Sequence, residues 1–200
     1  MLEVPHLRAA VGGSSLADVA MPTAIEPIFA GLDRVEDARL PLPVILGWLE
    51  ESGLSAADLA NFLVFGRDRY VRNLVYSGPT YQALVLCWRN GQRSPIHNHR
   101  GSNCGVKVLR GVATETAFAR APNGLVYATG SRDLPPGHTC ASADDDVHQI
   151  SNLQAGGADL VTLHVYSPPL MRMDMFSLDS PVVEDWLDPV NERFVHGGGI

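Results

Sequence analysis

The hydrophobic pattern changes character near Gly66 and divides the chain into two unequal parts. Before it, the run LPVILGWLEESG after Pro41 reads as a helix that Gly53 ends in a left-handed C-cap. Ser55 and Asp58 form a capping-box pattern for a second helix, whose Leu59, Phe62 and Leu63 share one face. Residues 1–20 are weakly patterned, with room for a short helix around Leu16 to Ala20. After Gly66 the segments NLVYSG, YQALVLCWR, GVKVLRGVATETAFA, GLVYATG, VHQISNL, DLVTLHVYSP and RMDMFSL are short, β-rich and separated by Gly, Pro, Asn or Asp. Many short strands with frequent turns predict a sandwich or barrel, so the fold class is mostly β with the helices covering one side. The expected organisation is one domain over residues 1–200. Residues 1–64 form its mainly helical N-terminal segment, 65–180 its β-barrel and 181–200 its C-terminal tail, which holds His196.

Two strand-scale patterns carry candidate chemistry. In SPIHNHRGSNC, His97 and His99 stand two apart, so a strand there points both imidazoles to one side and offers a metal two ligands. A turn over Arg100 to Asn103 brings Cys104 back near them at the head of the next strand. In DLVTLHVYSP, Val161, Leu163 and Val165 alternate with Thr162, His164 and Tyr166. The polar set faces solvent in an ordinary surface strand, or a metal site in a barrel, where His164 and Tyr166 supply hydrogen bonds around it.

The 200 residues suit one domain with a real core, and 46% apolar with 18% charged residues excludes global disorder. A net charge of -7 without clustered Lys and Arg argues against nucleic acid and for a small-molecule partner. Three cysteines, Cys87, Cys104 and Cys140, make a poor disulfide framework and fit a reducing compartment. No signal-peptide pattern or membrane span is legible, so the expectation is a cytoplasmic protein away from membranes, a monomer in the absence of any assembly signal.

The spacing of Gly91, His97, His99, Cys104 and Gly111 resembles the first signature of the cupin superfamily, with Cys104 where cupins usually carry Glu. Gly130, Pro135, Pro136, Gly137, His148 and Asn152 resemble the second in a stretched form, and the long interval leaves His138 as a rival to His148 for the third ligand. From Phe65 to Pro169 the motifs FGRDRYVRNLV, LCW, SPIHNHRGSNC, VHQISNL and LHVYSPP resemble type I cysteine dioxygenases, mononuclear non-haem iron enzymes of the cupin superfamily. The resemblance implies a cupin barrel with Fe(II) on His97, His99 and His148, and oxidation of L-cysteine by O2 to cysteine sulfinic acid. It implies Arg72 at the substrate carboxylate with Tyr70 beside it. It also implies Tyr166 as a hydrogen-bond donor held by His164, and Cys104 as the partner of Tyr166 in a thioether cross-link, with Thr162 in place of the usual Ser. Relatives acting on 3-mercaptopropionate typically have Gln at the Arg72 position. The rivals are dioxygenation of that thiol or of cysteamine, a zinc hydrolase or lyase on the same histidines, and a non-catalytic cupin.

The remaining features have plainer readings. Asp144 to Asp146 read as a solvated turn, Cys87 as a buried strand residue, Cys140 as a loop thiol, and Trp48, Trp88 and Trp186 as packing. Pro168 after Ser167 is a candidate cis bond.

Overall fold

The structure, a computed structural model, describes residues 25–143, 146–187 and 189–191. The helix expected near Leu16 and the residues His6, Asp144, Asp145 and His196 lie outside them. Two helices precede the sheets, α1 over Glu26–Asp33 and α2 over Leu42–Glu51. Pro43 suits the first turn of α2, and Gly53, at a φ of 63°, turns the chain out as its left-handed position requires. The Lys107 ammonium donates to the Leu49 carbonyl at 2.8 Å, meeting one of the free carbonyls of the last turn.

The second predicted helix is not an α-helix. Asp58 Oδ2 does accept from both the Ser55 amide (2.9 Å) and hydroxyl (2.6 Å), but the chain then makes turns and one 3-10 turn, Ala60–Phe62. The apolar trio Leu59, Phe62 and Leu63 spans little more than one turn, too short to repay helix nucleation, and burial of Leu59 and Phe62 decides the path instead.

Twelve strands follow in chain order: β1 Val71–Ser77, β2 Gln82–Trp88, β3 Ile96–His97, β4 Asn103–Arg110, β5 Ala113–Arg120, β6 Val126–Leu134, β7 Thr139–Ser142, β8 Val147–Ser151, β9 Leu160–Ser167, β10 Met173–Phe176, β11 Glu184–Trp186 and β12 Val190–Asn191. They form two six-stranded sheets among the described residues, in the orders β12-β1-β2-β9-β4-β7 and β11-β10-β3-β8-β5-β6. Every pairing is antiparallel except β1 with β12. This is the cupin barrel.

β2 and β9 are buried at every position, because each lies between two apolar layers. On the outer face Ala83, Val85, Val161, Leu163 and Val165 share one cluster with Phe29, Ile45 and Leu49 of the helices. On the inner face Leu84, Leu86, Trp88 and Tyr166 pack with Cys104, Val106 and Ile150 inside the barrel. Complete burial of each such Leu or Ile contributes about 1.5–3 kcal/mol. α2 lies so close over β4 that a Cβ on Gly105 would sit 2.3 Å from Ile45 Cγ2, so only glycine fits there.

Two boundaries differ from expectation. Cys140 is on β7, opposite Val106 of β4, because Gly137, at a φ of 85°, closes the Pro135-Pro136-Gly137 turn and delivers the chain to that edge. β11 pairs with β10 and β12 with β1 inside the stretch expected to be tail, since open backbone edges recruit these short segments without hydrophobic alternation to announce them. Trp88 and Cys87 are buried and Trp186 is partly exposed. The Ser167–Pro168 bond is cis, as expected. Among the described residues no helix is long and apolar enough to cross a membrane.

Candidate metal centre

β3 is only two residues long, so the two histidines do not share a strand. His97 ends it, directly opposite His148 of β8, which sets both side chains on the same face. His99 is delivered by the loop that follows, where Arg100 (φ 37°) and Gly101 (φ 92°) turn the chain and Ser102 donates its amide to the His99 carbonyl. That loop is fastened to β10. Asn98 donates its amide to the Asp174 carbonyl and its side chain to Asp174 Oδ2, while the Asp174 amide donates to Asn98 Oδ1, all between 3.1 and 3.2 Å.

His97, His99 and His148 are buried, and one nitrogen of each lies within 4.8 Å of the others. His138 stays in the turn before β7, its backbone bonded to Pro135 and Val108, and is not in this group. Asp146 Oδ2 accepts from the Ala143 amide at 3.1 Å, a turn contact.

The outward hydrogen bonds assign the imidazole protons. His97 Nδ1 donates to the Pro95 carbonyl at 3.0 Å, and His148 Nδ1 donates to Glu115 Oε1 at 2.9 Å, because a carbonyl and a carboxylate only accept. His99 Nδ1 meets the Ser142 hydroxyl at 3.3 Å. Nε2 of His97 is therefore bare, and Nε2 of His148 faces His99 Nε2 at 3.3 Å. Burial, followed by the neighbouring His148, pushes His97 down to about 3, and the same two causes hold His99 well below its usual range. Three converging imidazoles are a donor set that a borderline divalent cation takes. The residues fit a metal.

Beside the histidines is a narrow cavity lined by Tyr70, Arg72, Trp88, His97, His164, Tyr166 and Met173, among others. Arg72 of β1 is buried, with its guanidinium carbon 5.5 Å from the Tyr166 ring centre. Tyr70 stacks on Trp88 with ring centres 4.1 Å apart. Thr162, His164 and Tyr166 of β9 point inward, so the solvent-facing reading of that strand does not hold. Cys104 is directly opposite Tyr166 across β4 and β9, and its side chain is fully buried. Burial raises the Cys104 thiol well above its usual range.

Sequence reasoning missed Glu115, Ser142 and the Asp174 anchor. Glu115 had one usable signal: a carboxylate inside the β-rich run GVKVLRGVATETAFA needs a partner if its face is enclosed.

Two sheets enclosing three converging histidines and a row of polar side chains define a cupin. The sequence profile described as cysteine dioxygenase type I matches residues 45–179. The chain is 28% identical over 165 residues to cysteine dioxygenase type 1 of Danio rerio, covering 80% of this chain and 82% of that protein. It is 35% identical over 118 residues to the Homo sapiens protein of that name, covering 56% and 58%. Among solved structures, a double-stranded β-helix domain protein of Klebsiella pneumoniae is 16% identical at a TM-score of 0.47, covering 64% of this chain and 99% of that one. An RmlC-like cupin protein of Desulfovibrio desulfuricans is 20% identical at a TM-score of 0.41, covering 54% and 90%. The chain belongs to the type I cysteine dioxygenase family and is an enzyme of the thiol dioxygenase kind.

Proposed function

We propose that the protein oxidises L-cysteine with O2 to cysteine sulfinic acid, with Fe(II) held by His97, His99 and His148. The observation that carries the metal is the pair of Nε2 atoms of His99 and His148 at 3.3 Å, with the proton of His148 committed to Glu115. Nitrogens of His97, His99 and His148, within 4.8 Å of one another, would hold Fe(II). Fe(II) bound there, its charge uncancelled by any carboxylate ligand, supplies a site that favours a substrate thiolate and activates dioxygen.

The chain's own residues do the rest. Arg72, buried in the cavity, receives the substrate carboxylate in a planar, bidentate contact that Lys does not reproduce. Tyr70, fixed against Trp88, walls that contact. The Trp88 indole N–H only donates, so Thr162 Oγ1 accepts it at 3.0 Å, and the acceptor in reach of the Thr162 hydroxyl proton is His164 Nε2 at 2.9 Å. Neutral His164 then carries its proton on Nδ1, donates it to the Tyr166 oxygen at 3.0 Å, and leaves the Tyr166 hydroxyl proton for the cavity. Burial, followed by Arg72, keeps His164 well below its usual range, which holds this direction.

A carboxylate-reading Arg72 favours cysteine or 3-mercaptopropionate over cysteamine. Oxygen uptake by the iron-loaded protein with the three thiols tests the reading. Cysteine is expected to be preferred with sulfinate as product, and preference for mercaptopropionate reassigns the substrate. Activity restored by zinc in place of iron rejects the dioxygenase chemistry.

A further inference from the structure

Several features outside the substrate cavity invite a role. Met171, Leu178, Val182 and Leu187 are exposed, with nothing among the described residues to say what covers them, and Cys140 stands as a single half-buried thiol. One arrangement carries further. Glu115 of β5 is a diagonal neighbour of His148, since Ala117, two residues along, is the direct partner of His148 across β5 and β8. One carboxylate oxygen, Oε1, accepts from His148 Nδ1 at 2.9 Å. The other, Oε2, accepts from Arg132 Nε at 2.8 Å and Nη2 at 2.7 Å, and Arg132 is the direct cross-strand partner of Glu115 on β6. Both oxygens are committed, one to each side.

From this geometry we infer that Glu115 is a positioning residue for the metal centre, with Arg132 holding the carboxylate in place from outside. The inference rests on the reading of the three histidines as a metal centre. An imidazole on a strand can rotate about its side-chain bonds, and one fixed partner on Nδ1 sets both the ring plane and the tautomer that presents Nε2 inward. A charged acceptor also raises the basicity of the ring and so its strength as a ligand. Of the three histidines, only His148 has a carboxylate at Nδ1, the others meeting a carbonyl and a hydroxyl.

The location separates this role from substrate binding. Glu115, Arg132 and His148 line a cavity of about 440 Å³ between the edges of the two sheets. It shares no lining residue with the cavity of Arg72 and Tyr166. A change at Glu115 therefore acts on the metal without touching the substrate pocket.

The test measures Fe(II) and Co(II) affinity by chelator competition on the purified full chain, with thermal melting of the metal-free protein as the folding control. Glu115→Gln keeps shape but has one good acceptor for two donors, so affinity is expected to fall about 10- to 100-fold. The KM for cysteine at saturating iron is expected to stay within about twofold, since a loss that spared the metal would be structural or substrate-directed. Affinity within about threefold of the parent, in a variant that melts normally, overturns the inference. If E115Q does not fold, Arg132→Gln carries the test: the carboxylate keeps His148 but loses its outer anchor, and affinity is expected to fall by about threefold or more. Unchanged affinity there overturns it. A parent protein that binds neither ion rejects the metal centre itself, which distinguishes that failure from this one.

Discussion

His164 bridges two hydroxyls, with Nε2 2.9 Å from Thr162 Oγ1 and Nδ1 3.0 Å from Tyr166 Oη, so a single buried ring transmits the donor of Trp88 to the tyrosine at the cavity. Thr162→Val keeps the shape and removes the relay, leaving the Trp88 N–H and His164 Nε2 without this partner. We expect a stability loss of about 1–3 kcal/mol for the unsatisfied buried groups. Turnover is expected to fall on the order of 10- to 100-fold with iron content retained. Denaturant midpoints and kcat, read beside metal analysis, check both. Unchanged turnover would remove the chain from the mechanism.

The same ring predicts a pH dependence. His164 resists protonation in the fold, whereas in the unfolded chain it titrates near about 6.5. As pH falls below that value the unfolded state takes up a proton that the folded state refuses, so stability falls with pH. One such group contributes a slope approaching about 1.4 kcal/mol per pH unit. Urea unfolding of the metal-free protein between about pH 8 and 5 is expected to show this decline. His164→Gln is expected to reduce the slope without abolishing it, because buried His97 and His99 also resist protonation, and an identical slope in that variant assigns the decline to those groups.

Arg72→Ala is expected to raise the KM for cysteine by about 10- to 150-fold, the equivalent of a charge-assisted contact of about 1.5–3 kcal/mol. Iron content stays intact, because Arg72 is not in the histidine group. Loss of iron would contradict its assignment to the substrate.

His148→Ala is expected to abolish iron retention and His138→Ala to preserve it, as read by metal analysis after desalting. Among the described residues, His148 and not His138 is grouped with the other two histidines. The reverse outcome would reassign the third ligand.

Cys104 and Tyr166 face one another across paired strands, the placement a thioether needs. Intact mass after iron-dependent turnover is expected to show loss of two hydrogen atoms, abolished in Cys104→Ala. A full-mass chain after turnover excludes the cross-link.

The local pattern of the chain determined the longer strands and the helix that Gly53 closes, but not β7, β11 or β12. Alternation in LVTLHVYS separates Val161, Leu163 and Val165 from Thr162, His164 and Tyr166 without any structure. What it left open was which face meets solvent, because period-two patterning carries no information about what lies beyond each face. The answer came from α1 and α2, which cover the apolar side and turn the polar side inward. Spacing favoured His148 while keeping His138 as a rival, and the β3–β8 register, which joins positions 51 apart in the chain, sets His148 opposite His97. Glu115 was the furthest from view: its carboxylate reads as surface charge until the β5, β6 and β8 register sets His148 on one oxygen and Arg132 on the other. Sequence fixes periodicity and chemistry locally. Hydrogen bonds between distant strands decide which of those groups meet.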